Sequence, residues 1–128
     1  MNQKISIIYF SPTGNTRKTL QVMGESISDM IETIDLTCSD YETRNFTETD
    51  FVIFGSPVYG GRIPLVARER FFNMKGKDTP CFVVVSYGNR DYDDALLELS
   101  DMVKSLGFVV KGAAPVVGRH TYGDIQIT

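Results

Sequence analysis

The sequence has no tryptophan, one histidine and two cysteines in 128 residues. Cys38 and Cys81 stand in no CxxC or Cys/His grouping, so neither a metal site nor a disulfide framework is indicated, and a reducing, cytoplasmic setting is expected. Long apolar runs are also missing. Nothing approaches the roughly 20 residues that span a bilayer, so no membrane association is expected. The apolar stretch after Lys4 is only about seven residues long with no small-residue cleavage site behind it, and reads as a strand rather than a leader peptide. Excess positive charge is absent too: 13 Lys and Arg against 16 Asp and Glu leave a net charge of −3. A nucleic-acid partner is disfavoured, because phosphate contacts need clustered cations. Repeats and low-complexity tracts do not occur.

What is present is ordinary globular composition, 42% hydrophobic and 23% charged, consistent with a single domain over residues 1–128. The hydrophobic period changes repeatedly along the chain. Lys4 to Phe10 is a β-branched and aromatic run closed by Ser-Pro, a buried strand. Thr16 to Ile27 places Leu20, Met23 and Ile27 on one face of a helix. Ile31 to Leu36 is a weaker strand, and Phe51 to Gly55 is apolar throughout, as in a parallel sheet covered on both faces. Residues 64–74, opened by Pro64, predict a second helix with Val66, Phe71 and Met74 buried. Pro80 to Ser86 is the most apolar strand. Asp91 to Leu106 is the clearest helix, with Ala95, Leu96, Leu99, Met102, Val103 and Leu106 on one side and Gly107 as its stop. Phe108 to Val110, extending toward Val117, is a fifth strand.

Alternating strands and helices predict right-handed βαβ units and an open α/β parallel sheet of five strands, order 2-1-3-4-5, with helices on both faces. Ligands of such sheets bind beyond the carboxyl ends of the strands, where the strand order reverses. The loops after the first, third and fourth strands are therefore the ones to read for chemistry. Ser11-Pro12-Thr13-Gly14-Asn15-Thr16 combines three hydroxyl donors, a glycine and the free N–H groups of a helix start, a cradle suited to phosphate. It lacks the GxxxxGK[ST] lysine of nucleoside triphosphate sites, and no GxGxxG occurs. A phosphate monoester held by neutral donors fits best. The plainer alternative is that Ser11 and Thr16 simply cap the helix.

Ser11 to Thr16 matches the [ST]-x-T-G-x-T phosphate loop of flavodoxins at every fixed position, and the chain resembles that family over residues 1 to about 118. Gly55-Ser56-Pro57-Val58-Tyr59-Gly60-Gly61 is similar to the family's second loop, which implies Tyr59 on the inner side of a flavin ring, beside Pro57 and Val58. Tyr87-Gly88-Asn89-Arg90-Asp91-Tyr92 is similar to the third, with Tyr92 as the outer stacking residue. The resemblance thus implies FMN as cofactor, its pyrimidine edge meeting backbone N–H groups near Gly60 and from Gly88 to Arg90. It also implies a Gly60-Gly61 peptide that turns to meet the half-reduced ring. The runs GSPVYGGRIP and SYGNRDYDDALLEL look most like flavodoxin domains that work beside ferredoxin-type iron–sulfur modules. Redox partner proteins, ferredoxin-type among them, are the implied partners.

Other features point elsewhere or nowhere. Cys38 and Arg44 share the CxxxxxR spacing of cysteine phosphatases, but the intervening residues contain two acids and no glycine, and would repel a phosphate. Tyr9 and Phe10 replace the acids that a magnesium-binding receiver domain needs. Asp91, Asp93 and Asp94 suit a helix N-terminus. His120 either approaches the ring or is a solvated loop residue. Arg62 and Arg90 in the ring loops predict a flavin less reducing than in strongly acidic flavodoxins. Three functions remain open: FMN-dependent electron transfer, FMN-dependent reduction of a quinone-like acceptor, and a cofactor-free interaction domain. After the fifth strand, Asp124 to Thr128 alternates like a strand, so a closing helix is not expected. The sheet face formed by the first, third and fourth strands is then expected to be partly exposed, and covered by the tail, a partner or a second copy in a homodimer.

Overall fold

The computed structural model describes residues 3–38, 42–87 and 93–117. Its main sheet is built from β1 (Ile5–Tyr9), β2 (Ile31–Asp35), β4 (Phe51–Pro57), β6 (Thr79–Tyr87) and β7 (Phe108–Val117). All neighbours run parallel in the order β2-β1-β4-β6-β7, which is 2-1-3-4-5 when only these five are counted. Helices α1 (Asn15–Ile27), α2 (Leu65–Phe71) and α3 (Asp93–Ser105) supply the crossovers.

Alternate residues of the central strands serve two cores, as a period of two requires. Ile5, Ile7, Tyr9, Ile53 and Val84 gather with Leu20 of α1 on one face. Ile8, Val52, Phe54, Val83 and Val85 gather on the other with Ala67 and Phe71 of α2 and Ala95, Leu99, Met102 and Val103 of α3. Phe54 anchors the larger core, meeting Phe71 at 5.8 Å and Phe108 at 4.9 Å between ring centroids, both edge-on at 89°. Each such pair contributes about 0.5–1.5 kcal/mol beyond area burial.

Several expectations need correction. The second helix stops at Phe71, and Met74, buried as expected, lies instead in a two-residue strand β5 (Met74–Lys75) that pairs in parallel with β3 (Arg44–Asn45). The bonds from Arg44 N to Asn73 O and from Phe46 N to Lys75 O frame this small second sheet. Val66 is 43% exposed and Ile27, at the last turn of α1, is 40% exposed, because only one stripe of each helix meets the sheet. β4 runs past the expected Gly55 to Pro57, while the fifth strand, β7, extends to Val117 as expected. A bulge opposite Cys81 and Phe82 leaves Lys111 outside the β6–β7 pairing.

The face carrying α1 is less bare than the sequence suggested. Ile5, Ile7, Ile53 and Val84 are buried there, and the partly open residues packed against them are Met23, Ile31, Phe51 and Phe82, the last two with ring centroids 6.2 Å apart at a 39° tilt. Among the described residues no helix follows β7, and none is long and apolar enough to cross a membrane. Asp124 to Thr128 and His120 lie outside the described residues.

Candidate functional site

β1, β4 and β6 run parallel and end at Tyr9, Pro57 and Tyr87, with Tyr9 opposite Gly55 and Pro57 opposite Ser86, so the three loops leave from the same edge of the sheet. In the first loop a turn closes from Gly14 N to Ser11 O at 3.2 Å, and Gly14 enters α1 in the left-handed region, φ 86°. No side chain caps α1 at Gly14 itself. Instead Ser11 Oγ reaches across the turn and accepts the Arg17 N–H at 3.1 Å, while Thr13 Oγ1 lies 3.5 Å from Asn15 N. Ser11 therefore does have the capping role considered for it. Pro12 and Thr13 are exposed and Gly14 and Asn15 half-exposed, so the start of α1 is accessible.

Thr16 is the exception. It is buried, 1% exposed, and its hydroxyl shares a 2.6 Å hydrogen bond with Ser86 Oγ at the end of β6. The helix approaches β4 closely enough that a Cβ on Gly55 would sit 2.8 Å from Thr16 Cγ2 and 2.6 Å from Leu20 Cδ1. Glycine at 55 is what lets α1 settle here.

The second loop is a tight reversal. Tyr59 and Arg62 exchange backbone hydrogen bonds of 2.8 and 3.2 Å around Gly60 and Gly61, both with positive φ (60° and 82°). A two-residue turn with this handedness requires such backbone at both central positions, which explains the glycine pair. Tyr59 stands 52% exposed beside it. Val58 and Pro57 are partly buried, and Val58 N donates to Ser86 O at 3.0 Å. Ser86 thus fastens both loops, one through its hydroxyl and one through its carbonyl.

Arg62 does not stand free. Its guanidinium makes two bonds to Glu98 of α3, Nε at 2.9 Å and a terminal nitrogen at 3.1 Å, and Glu98 also accepts from Ile63 N and Arg68. Burial works against the charge on Glu98, but these donors outweigh it and hold its carboxyl below the usual range, while Glu98 in turn raises Arg62. The expected cation at the ring is largely neutralised by this pair. In the third loop Tyr87 is described and half-buried; Gly88, Asn89, Arg90 and Tyr92 lie outside the described residues.

Three supporting residues escaped the sequence reading. Ser86 and Glu98 are described above, and Thr37 accepts the Ser11 N–H at 2.8 Å from the turn after β2. Arg70 of α2 braces that turn through Leu36 O at 2.6 Å and lies over the Phe10 ring at 5.9 Å. Arg44, half of the CxxxxxR spacing, is committed to both carboxylate oxygens of Glu32 at 2.9 Å. The described residues contain no group of three or more His, Cys, Asp and Glu that could hold a metal.

A family model for the flavodoxin domain matches residues 6–97, from β1 through the α1 and α2 crossovers and β6 into the first part of α3. The chain belongs to the flavodoxin family. A flavodoxin of Clostridium saccharobutylicum is 26% identical over 123 residues, covering 91% of this chain and 77% of that protein. Among solved structures, a flavoprotein in complex with FMN from Lactobacillus acidophilus superposes with a TM-score of 0.62 at 14% identity, covering 90% of this flavodoxin domain and 93% of that chain. Two-electron reduced flavodoxin from Megasphaera elsdenii gives 0.63 at 19% identity, with 88% and 85% covered. At these identities the structural likeness speaks for the fold.

Proposed function

We propose that this flavodoxin domain binds FMN at the carboxyl edge of its sheet and carries electrons between redox partner proteins in the cytoplasm. The observation that carries the reading is the convergence of a helix start accessible at Pro12 to Asn15 with the exposed Tyr59 on its glycine turn, both loops fastened to Ser86. Neutral N–H and hydroxyl donors at a helix N-terminus suit a phosphate monoester, and an exposed aromatic next to a backbone turn suits a flat ring with a polar edge.

Ser11, Pro12, Thr13, Gly14, Asn15 and Thr16 would hold the phosphate. Pro57, Val58, Tyr59, Gly60 and Gly61 would line the inner side of the ring, with Tyr92 on the outer side and the rest of the third loop, Tyr87, Gly88, Asn89 and Arg90, at its pyrimidine edge. Bound there, the flavin supplies reversible one-electron chemistry. The chain's part is to orient the ring, shield it from water on its inner side and offer the backbone of the Gly60-Gly61 turn to its edge. The partners fitting the resemblance of the second and third loops are ferredoxin-type iron–sulfur proteins.

Purification in the presence of FMN tests the reading. A yellow protein that keeps stoichiometric flavin through gel filtration and is reduced in one-electron steps is expected. A colourless protein that takes up neither FMN nor riboflavin would overturn it.

A further inference from the structure

The hydroxyls of Thr16 and Ser86 form a buried pair, 2.6 Å apart, at residues 1% and 6% exposed. Two hydroxyls carry two hydrogens. One lies in the bond between them, and the second has no other acceptor among the described residues. Both groups are shielded from bulk water, so that hydrogen is a directed donor without a partner, which in a buried position is costly unless something accepts it.

The start of α1 supplies the direction. Thr16 is the second residue of the helix, beside Asn15 and below the Ser11–Gly14 turn, where the helix dipole favours an anion. Ser86 lies on β6, across β4 from the strand that leads into α1, with its carbonyl already bound to Val58 N. If Ser86 donates inward to Thr16 Oγ1, the Thr16 hydrogen is left for the helix start, and the first bond strengthens the second by polarising it. In the reverse order the spare hydrogen would belong to Ser86, whose hydroxyl has no other hydrogen-bond partner among the described residues.

We infer that Ser86 is a positioning residue of the phosphate site: it holds Thr16 Oγ1 from behind so that the Thr16 hydroxyl donates to the terminal phosphate of the flavin. This rests on the FMN reading above. It goes further by assigning a second-row residue, from the far side of β4, to discrimination between a phosphorylated and an unphosphorylated flavin. Because Ser86 also fixes the Val58 backbone, its carbonyl and hydroxyl separate two tasks, and only the hydroxyl bears on phosphate.

The test compares dissociation constants of FMN and riboflavin for the full chain and for Ser86→Ala, Thr16→Val and the double variant, with thermal melting of each apo protein alongside. Valine keeps the methyl that packs at Gly55. The expected result is a fall of about tenfold in the FMN-over-riboflavin preference for either single variant. The double variant should be no worse than Thr16→Val alone, because both remove one donor chain. A Ser86→Ala protein that keeps the parental preference overturns the assignment, whether its affinities are unchanged or fall equally for both ligands. So does a double variant whose losses add. A wild-type chain that binds neither ligand instead removes the FMN reading itself, and a melting temperature that falls with the preference intact marks a purely structural serine.

Discussion

Arg62 and Glu98, 36 residues apart, face each other through two parallel hydrogen bonds of 2.9 and 3.1 Å, tying the glycine turn of the second loop to the middle of α3. The Glu98 side chain is 10% exposed and receives Arg68 and the Ile63 N–H as well, so it is the less exposed partner and the hub. A loop intended to meet a cofactor is thereby held from its outer end, while Ser86 holds its inner end.

The pH dependence of stability follows from this hub. The Glu98 carboxyl in the folded chain lies below its ordinary value of 4.5, so its contribution is fully present above that value and is lost as pH falls through the folded-state one. Glu98→Gln should melt at a lower temperature than the parent near neutrality, with the gap closing on the acid side of 4.5. Melting curves over that range check it, and a gap that stays constant with pH would contradict the role of the charge.

Gly55→Ala tests the close approach of α1. Its Cβ would lie 2.6 Å from Leu20 Cδ1 and 2.8 Å from Thr16 Cγ2, and moving Thr16 also disturbs its bond to Ser86. Overpacking of this kind costs about 1–3 kcal/mol, read as a lower denaturant midpoint. A weaker affinity for FMN should accompany it.

The two thiols should differ sharply. Cys38 is exposed, whereas Cys81 is buried in β6, where burial pushes its thiol up to about 12. One equivalent of an alkylating reagent is expected to react quickly with the native chain and a second only after unfolding. Mass spectrometry of the modified peptides reads the outcome, and rapid native labelling of Cys81 would mean that the sheet opens there.

Phosphate and ring contacts are separable by ligand. Thr13→Ala combined with Thr16→Ala should weaken FMN far more than riboflavin, because a hydrogen bond to a charged group is worth about 1.5–3 kcal/mol. Tyr59→Ala should weaken both ligands alike, by about 0.5–1.5 kcal/mol, since stacking is blind to the phosphate. Paired titrations distinguish the two patterns, and an equal effect of the threonine variant on both ligands would displace the phosphate from the first loop.

The sheet and its strand order were legible because each main strand announces itself by a change of period, from the apolar run at Phe51 to the helix stripe through Leu99 and Val103. The loops were legible by composition. What stayed hidden was pairing across the chain. Arg44–Asn45 and Met74–Lys75 form strands of two residues, too short to show a period, and Met74 was therefore read into the helix before it. Val66 was misplaced because α2 has barely two turns, in which several residues fit an apolar stripe equally well. Ser86 and Glu98 look like an ordinary strand serine and an ordinary helix acid, and their partners lie 70 and 36 positions away.

The glycines at this edge of the sheet obey two different rules. At Gly55 the limit is volume, but at Gly14 and Gly60, with φ of 86° and 60°, a Cβ would meet nothing within 4 Å. There the demand is one of handedness. A D-alanine introduced at Gly60 by chemical ligation would satisfy the turn and narrow the unfolded ensemble, whereas L-alanine at the same place would have ample room and the wrong mirror image. The rim of this sheet is thus constrained by chirality where its floor is constrained by space, and an achiral residue is the one natural solution common to both.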